Sequence, residues 1–297
     1  MKLLKMKTKS DIIFDIINYS FLAVIFFAAF YPLYFVVIAS FSDPTYVNAG
    51  ETLFLPKGFT LAGYEKAFEY KKIWIGYKNS AIYTLIGTCI NLAVLIPASF
   101  ALSRKELVGR KIFTTLMLFT MYFSGGTIPV YLLIKNLGLM DTMWALVLPG
   151  AFSVYNMIIC RSYFQGNVSE ELFESVKLDG GGYMRFFFSV VLPLSKAIIA
   201  VMVLYHALGH WNVYVSALYY LRDGDKYPLQ LVLANLTNSL TNSMVDGGLG
   251  ADTAETEKLR EMIRYSTILI AALPMIILYP FVQKYFVTGV MIGSVKG

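Results

Sequence analysis

Six apolar stretches of about twenty residues or more constrain this chain above all else, since each is long enough to cross the ~30 Å hydrocarbon layer of a bilayer as a helix. They run roughly from Asn18 to Phe41, Ser80 to Leu102, Ile112 to Ile134, Met143 to Tyr163, Val190 to Leu218, and Tyr265 to Phe286. Apolar residues make up 57% of the 297 positions and charged ones only 15%, against about 45–50% and about 25% in soluble domains. One soluble core cannot bury that surplus, so a soluble enzyme, a disordered chain and a coiled coil are excluded. Cys89 and Cys160 are the only cysteines, which rules out a disulfide scaffold. The expected fold class is an all-α membrane protein with six transmembrane helices.

The amino-terminal MKLLKMKTK has the basic character of a signal peptide. The apolar stretch behind it is about 24 residues, against roughly 7–15 in a signal peptide, and no small-residue cleavage pattern follows. A retained first helix is therefore expected.

Lys and Arg placement sets the orientation. With the amino terminus cytoplasmic, the inner segments hold 14 of the 25 basic residues although they are shorter in total. The turn Ser103–Lys111, SRKELVGRK, carries four of them in nine residues and weighs most. Both termini are then cytoplasmic in a multi-pass plasma-membrane protein, and the net charge of +6 reflects topology rather than a nucleic-acid surface. The expected organisation is a cytoplasmic segment at 1–17, a transmembrane domain over 18–287, and a cytoplasmic tail at 288–297. Two outer segments are long. Residues 42–79 promise some short ordered structure, and residues 219–264 lead from a turn-rich LRDGDKYP through a polar LTNSLTNS stretch to a charged helix capped by Asp252 or Thr253.

The chemistry inside the spans is sparse. Their central parts hold no Asp, Glu, Lys or Arg, so no coupling-ion site is evident, and the energy source is expected elsewhere. His206 and His210 lie four apart on one helix face. That is metal-ligand spacing, but HALGH lacks the glutamate of a zinc-protease motif and no carboxylate lies near in sequence. Interhelical hydrogen bonding or cavity lining is the better reading, and no metal is expected. Both cysteines are expected to pack as small apolar groups. No phosphate-binding glycine loop appears, so the chain cannot hydrolyse a nucleotide by that route.

One inner segment, about 164–193, departs from a minimal turn. Ser169 precedes Glu170 and Glu171, a hydroxyl cap with acids in the first helical turn. Leu172, Phe173 and Val176 make an apolar stripe at helical spacing. Asp179-Gly180-Gly181-Gly182 stops the helix, and a second one starts near Tyr183. Such an amphipathic cytoplasmic unit suits a groove on a partner protein. The acids at 170, 171, 174 and 179 argue against the alternative, a helix lying on the anionic inner leaflet.

Here the chain resembles the permease subunits of binding-protein-dependent ABC importers. Their cytoplasmic loop follows a Glu-Ala-Ala motif, then three residues, Gly, nine residues, and Ile-x-Leu-Pro. This sequence has Glu174-Ser175-Val176, Gly180, and Val190-Val191-Leu192-Pro193 at matching spacing, with the bulkier Ser-Val in place of Ala-Ala. Leu178-Asp179-Gly180, Trp211-Asn212 and the ending GVMIGSVKG are similar to the carbohydrate branch, in particular the second permease of maltose-type importers.

The resemblance implies a type I importer permease and a transport subunit rather than an enzyme. It implies a second six-helix permease subunit as partner, in a heterodimer, together with a cytoplasmic ATPase dimer that binds the ATP and Mg. It also implies an extracellular solute-binding protein and a sugar substrate. Glu174, Ser175, Val176, Asp179, Gly180 and Pro193 would form the ATPase-coupling loop, with Gly293 and Lys296 in a tail reaching the ATPase. The 219–264 segment would meet the solute-binding protein. Tyr155, Asn156, His210, Trp211, Asn212 and Tyr214 offer aromatic faces and amides of the kind that read a sugar, although aromatics also populate membrane interfaces. An importer for another solute, a charge-free facilitator channel, or an intramembrane hydrolase using His206 or His210 with a serine such as Ser216, are the rival readings.

Overall fold

The computed structural model describes residues 8–246 and 253–293, which are mostly helical, with no strand among them. The chain forms two compact units. One comprises the described residues up to Glu69 with Thr237–Ile270, and the other comprises Tyr70–Leu236 with the described residues from Ala271 onward.

In the first unit, α1 (Lys9–Ser40) begins at a reciprocal capping box. The Thr8 hydroxyl accepts from the Asp11 N–H, and the Asp11 carboxylate accepts from the Thr8 N–H. Its side chains from Ile12 to Leu33 stay exposed and overwhelmingly apolar, as a helix surrounded by lipid or by other helices requires. Asp43 caps α2 (Pro44–Asn48), whose first-turn proline lacks only an N–H that would go unpaired anyway. α3 (Ala62–Glu69) follows. The second unit is built around α4 (Lys72–Ser103).

Three of the remaining apolar stretches are not simple spans. The third is broken into α5 (Arg110–Tyr122) and α6 (Thr127–Asn136), bent by 108° where Gly126 takes φ +86°. The fourth consists of a single turn, α7 (Trp144–Val147), an irregular segment, and the 14-residue α8 (Val154–Asn167). Pro149 and Gly150 sit in that interruption, where a missing N–H and a flexible backbone both oppose helix. α9 (Glu170–Leu178) and α10 (Tyr183–Phe186) form the loop between the fourth and fifth stretches. α10 runs through a π-helical turn, Phe187–Val191, into α11 (Leu192–Leu194), then bends by 79° into α12 (Lys196–Trp211). The fifth stretch breaks again before α13 (Val215–Tyr220). α14 (Leu229–Asp246) absorbs the polar LTNSLTNS stretch, to which the sequence pattern assigned no element. α15 (Thr253–Gly293) joins the charged helix and the sixth stretch in one 41-residue helix. Thr253 is its first residue, and Asp252 lies outside the described residues.

Among the described residues three helices, α1, α4 and the Glu257–Phe281 part of α15, are long and apolar enough to cross a membrane, or up to five spans if each bent pair counts as one. In the first unit the 42–69 segment is tied to the charged start of α15. Asp43 pairs with Lys258 at 2.7 Å, and Asn48 donates to Glu261 at 2.6 Å. A methyl group on Gly63 would lie 2.5 Å from the Ser266 hydroxyl and 2.6 Å from the Met262 carbonyl, so only glycine lets α3 approach α15 this closely. In the second unit, α4, α8, α10 and α12 enclose a core that includes Leu95, Phe100, Met157, Phe164, Phe186 and Met202. Cys160 is fully buried in the same core, whereas Cys89 is exposed.

Candidate functional site

The segment that matched a partner-docking pattern folds as a hairpin of two helices. Ser169 occupies the N-cap position of α9 with extended backbone, φ −67° and ψ 153°, but its hydroxyl makes no capping hydrogen bond. The expected hydroxyl cap is thus present in position only. Glu170 and Glu171 in the first turn complement the positive end of the helix dipole. Glu170 also pairs with Lys105 at 3.0 Å, an exposed pair worth about 0–1 kcal/mol.

The stripe at 172, 173 and 176 divides in two. Leu172 stays exposed, while Phe173 and Val176 pack onto the core. The Phe173 ring stacks on Tyr183 with centroids 4.4 Å apart and meets Phe186 at 5.2 Å. Glu174 and Ser175 face away from that core and are exposed, as are Leu178 and Asp179. Glu174 forms no ion pair among the described residues.

The helix stop is a Schellman motif. Asp179 is the C-cap, and Gly180 takes φ +74°, which L side chains rarely adopt. The Gly180 N–H donates to the Lys177 carbonyl at 3.0 Å, and the Gly181 N–H to the Val176 carbonyl at 2.8 Å. A methyl on Gly181 would fall 2.6 Å from Val176 Cγ1 and 2.9 Å from its carbonyl oxygen. The two helices are therefore held as one rigid piece. Pro193 lies beyond the π-helical turn, just before the bend into α12.

A cleft of about 520 Å³ beside α9 is lined by Glu170, Glu171 and Glu174 together with Arg104, Lys105 and Arg110 of the α4–α5 turn. Arg104 is itself buried, its guanidinium 5.3 Å from the Phe100 ring centre and 6.0 Å from that of Phe186. Gly293 is the last described residue, in α15, and Lys296 lies outside the described residues.

The second constellation lies among α4, α8 and α12, and Asn91 is its centre. The Asn91 amide nitrogen donates to the Gly150 carbonyl at 2.8 Å and to His206 Nδ1 at 2.8 Å. Its oxygen accepts from His210 Nε2 at 3.0 Å. With Nδ1 accepting, the His206 ring carries its proton on Nε2, which lies 3.4 Å from the Asn156 side-chain nitrogen, two donors that do not bond each other. The carbonyl freed by the Pro149–Gly150 interruption thus finds a donor inside the bundle, as non-helical backbone at membrane depth requires. Gly87 completes the fit, since a methyl there would sit 2.4 Å from His210 Nε2.

Among the described residues the histidines meet amides and neither a serine nor a carboxylate, so the geometry does not favour a hydrolase. Among the described residues no three His, Cys, Asp or Glu side chains gather in a metal-binding group. Asn91 and Gln230 escaped the sequence reading. An amide inside the apolar NLAVLIPASF was the available signal for Asn91, because polar groups in spans glue helices together.

The other sugar-path candidates scatter. Trp211 is buried, and its indole N–H donates to the Ala271 carbonyl at 2.9 Å. Asn212 accepts from Gln230 at 3.2 Å and stays exposed, as do Tyr155 and Tyr214. Asn156 and His210 belong to the amide–imidazole cluster. A separate anchor joins the loop before α7 to the segment after α13. Asp141, at φ +58°, accepts from the N–H groups of Arg222 and Asp223, both at 3.0 Å, and from Lys226 Nζ at 2.7 Å. The Lys226 hydrogen bond, then those two N–H groups, hold its carboxyl down to about 2.

Residues 73–292 match the model of the family described as binding-protein-dependent transport system inner membrane component, and the chain belongs to that family. It is 36% identical over 288 residues to the polygalacturonan/rhamnogalacturonan transport system permease protein YtcP of Bacillus subtilis (strain 168), covering 96% of this chain and 99% of that protein. Protein LplC of the same organism is 36% identical over 290 residues, covering 98% of this chain and 97% of its own length. Among solved structures, a bacterial ABC transporter involved in the import of the acidic polysaccharide alginate contains a chain 30% identical to this one. That likeness has a TM-score of 0.79 and covers 95% of this chain and 99% of the other. The fold is that of a type I ABC importer permease. The protein is a multi-pass membrane transport subunit, and in this family the ATPase is a separate subunit.

Proposed function

We propose that the chain forms half of the translocation path of an ATP-driven oligosaccharide importer. Six spans with both termini cytoplasmic place the α9–α10 hairpin and the tail inside the cell and the 219–264 segment outside. The hairpin docks into a cleft of the ATPase, which holds the ATP and Mg. Glu174 meets basic groups there, and Gly180 permits the sharp turn. Closure of the ATPase dimer on ATP moves the docked hairpin, and the spans switch access from one side to the other. Gly293 and Lys296 extend a contact to the ATPase, and a solute-binding protein delivers the sugar on the outside. Tyr155, Asn156, His210, Asn212 and Tyr214 contribute to the path, and Trp211 supports Asn212 from within the fold.

The observation that carries this reading is the rigid hairpin whose charged and apolar residues, Glu174 and Leu178 among them, point away from the chain's own core. The sugar assignment is supported by what the relatives are named for, which includes polygalacturonan/rhamnogalacturonan, arabinooligosaccharides and maltodextrin. Replacing Glu174 with Lys, or Gly180 with Val, is expected to uncouple transport and weaken ATPase copurification. Normal uptake and copurification in both variants would overturn the proposal. Uptake of labelled uronic-acid or neutral oligosaccharides in cells lacking related importers identifies the cargo.

A further inference from the structure

The segment between α2 and α3 does not simply extend away from the end of α1. Its two ends are fixed beside the last residues of that helix. The Asp43 N–H donates to the carbonyls of Lys57 and Gly58, the Lys57 N–H to the Ser42 hydroxyl, and the Thr60 N–H to the Phe41 carbonyl. Glu51 and Lys57 close the shoulders with an ion pair of 3.1 Å. Between them the tip, Leu53-Phe54-Leu55-Pro56, folds back along α1. The Tyr34 hydroxyl donates to the Phe54 carbonyl, and the Phe54 ring lies 6.4 Å from that of Tyr31. Tyr34 is six residues and Tyr31 nine before the helix end at Ser40, so at 1.5 Å per residue the tip reaches about 9–13 Å down the helix.

That tip carries no charge, and its side chains point outward. Leu53, Phe54 and Leu55 are 52%, 69% and 73% exposed, and Phe59 is 68% exposed. They continue the apolar exterior of α1, where Phe30, Tyr31 and Leu33 are exposed too. Backbone polarity at the tip is lowered, because Pro56 has no N–H and the Phe54 carbonyl has an internal donor. A water-soluble partner docking beyond the helix end would meet the shoulders, not a tip turned the other way.

From this geometry we infer that the 53–59 loop is a lipid anchor. Its apolar side chains enter the interfacial layer of the leaflet at the carboxyl end of α1, with Tyr31 and Tyr34 at the polar boundary. The Tyr34 contact, about 9 Å from the helix end, falls within the ~5–10 Å to which interfacial apolar faces are buried, and the tyrosines suit the aromatic belt. In the topology proposed above this is the outer leaflet, and the inference rests on that reading for its side only. The loop then fixes the depth and rotation of α1 in the bilayer.

The test is spin-label accessibility in the assembled importer in nanodiscs, in a Cys89→Ala/Cys160→Ala background. Labels at Leu55→Cys and at Phe59→Cys are compared with Phe26→Cys in α1 and Lys66→Cys in α3. Collision with oxygen is expected to exceed collision with a water-soluble nickel chelate several-fold at both loop sites, as at Phe26→Cys. Chelate access equal to that of Lys66→Cys would place the loop in water and overturn the inference. Poor access by both reagents would show a protein partner covering it, and would equally overturn it. ATPase copurification and ATPase activity stimulated by loaded binding protein, measured on the same preparations, separate this outcome from a failure of the importer reading.

Discussion

The α9–α10 hairpin and the cluster around Asn91 use polar side chains in opposite ways. In the hairpin, the acids stand exposed, Glu174 has no ion-pair partner among the described residues, and the backbone supplies the rigidity through a glycine stop. In the cluster, Asn91 and both imidazoles are buried, and Asn91 spends both hydrogens and its oxygen on groups of the same chain. Desolvation explains the contrast. A polar group in a low-dielectric interior is costly unless satisfied internally, whereas a carboxylate at the surface remains available for another molecule. The hairpin leaves its acids at the surface, and the cluster holds the chain's own helices together.

The sharpest test of that division is Glu174→Lys. It is expected to lower uptake by about tenfold or more, because a like-charge contact at a docking surface costs several kcal/mol. Thermal unfolding of the isolated subunit should barely move, and a large loss of stability there would break the comparison. Asn91→Ala is the converse case. It strands the Gly150 carbonyl and leaves two histidines short of a partner, so about 2 kcal/mol of stability should be lost. Unfolding in mild detergent, with an Asn91→Ala/His210→Ala cycle, measures the coupling.

Within the hairpin, Gly181→Ala should damage coupling more than Gly180→Ala. At position 181 the added methyl strikes the Val176 side chain and carbonyl. At 180 nothing lies within 4 Å, and only the left-handed backbone is penalised, by about 1–2 kcal/mol. ATPase activity stimulated by loaded binding protein would rank the two.

Asp141 offers an intermediate case, a carboxylate at the edge of the fold that is nonetheless fully engaged. Its folded pKa of about 2 lies below the unfolded value, so its contribution is present above about pH 4 and is lost as pH falls toward 2. Asp141→Asn, which keeps tolerance of the positive φ, should be less stable than the parent at neutral pH. The gap should close across that acid window in melting curves. The smallest effect belongs to Ser169→Ala. A cap whose hydroxyl oxygen accepts from a backbone N–H is worth about 1 kcal/mol, but Ser169 makes no such bond, and a change under about 0.5 kcal/mol is expected by circular dichroism or melting.

The hairpin was legible before any coordinates because its signals are local. Acids in a first turn, an apolar stripe at helical spacing, and a glycine after Asp179 each act within a few residues. Even so, the Ser169 side chain departed from the pattern. The cluster was only half legible. His206 and His210 share a face by helical geometry, but Asn91 and Asn156, the amides beside them, are 50 to 119 residues away in sequence, and nothing local pairs them. The interruptions were marked locally too, by Ser124-Gly125-Gly126 and Pro149-Gly150, although a hydropathy average over twenty residues passes over them.

By itself, then, the sequence determined that this protein lives in a membrane, that its spans carry no ionised group to couple to an ion gradient, and where its rigid acidic hairpin lies. Those properties follow from composition and from interactions between near neighbours. Tertiary structure decided how the apolar stretches bend, that Trp211 is buried with its indole N–H on the Ala271 carbonyl, and that the histidines face amides instead of a nucleophile. It also decided that Leu53–Pro56 folds back along α1. Each of these depends on which distant backbone carbonyl or side chain comes within 3–6 Å in space, and that is set by packing rather than by any pattern along the chain.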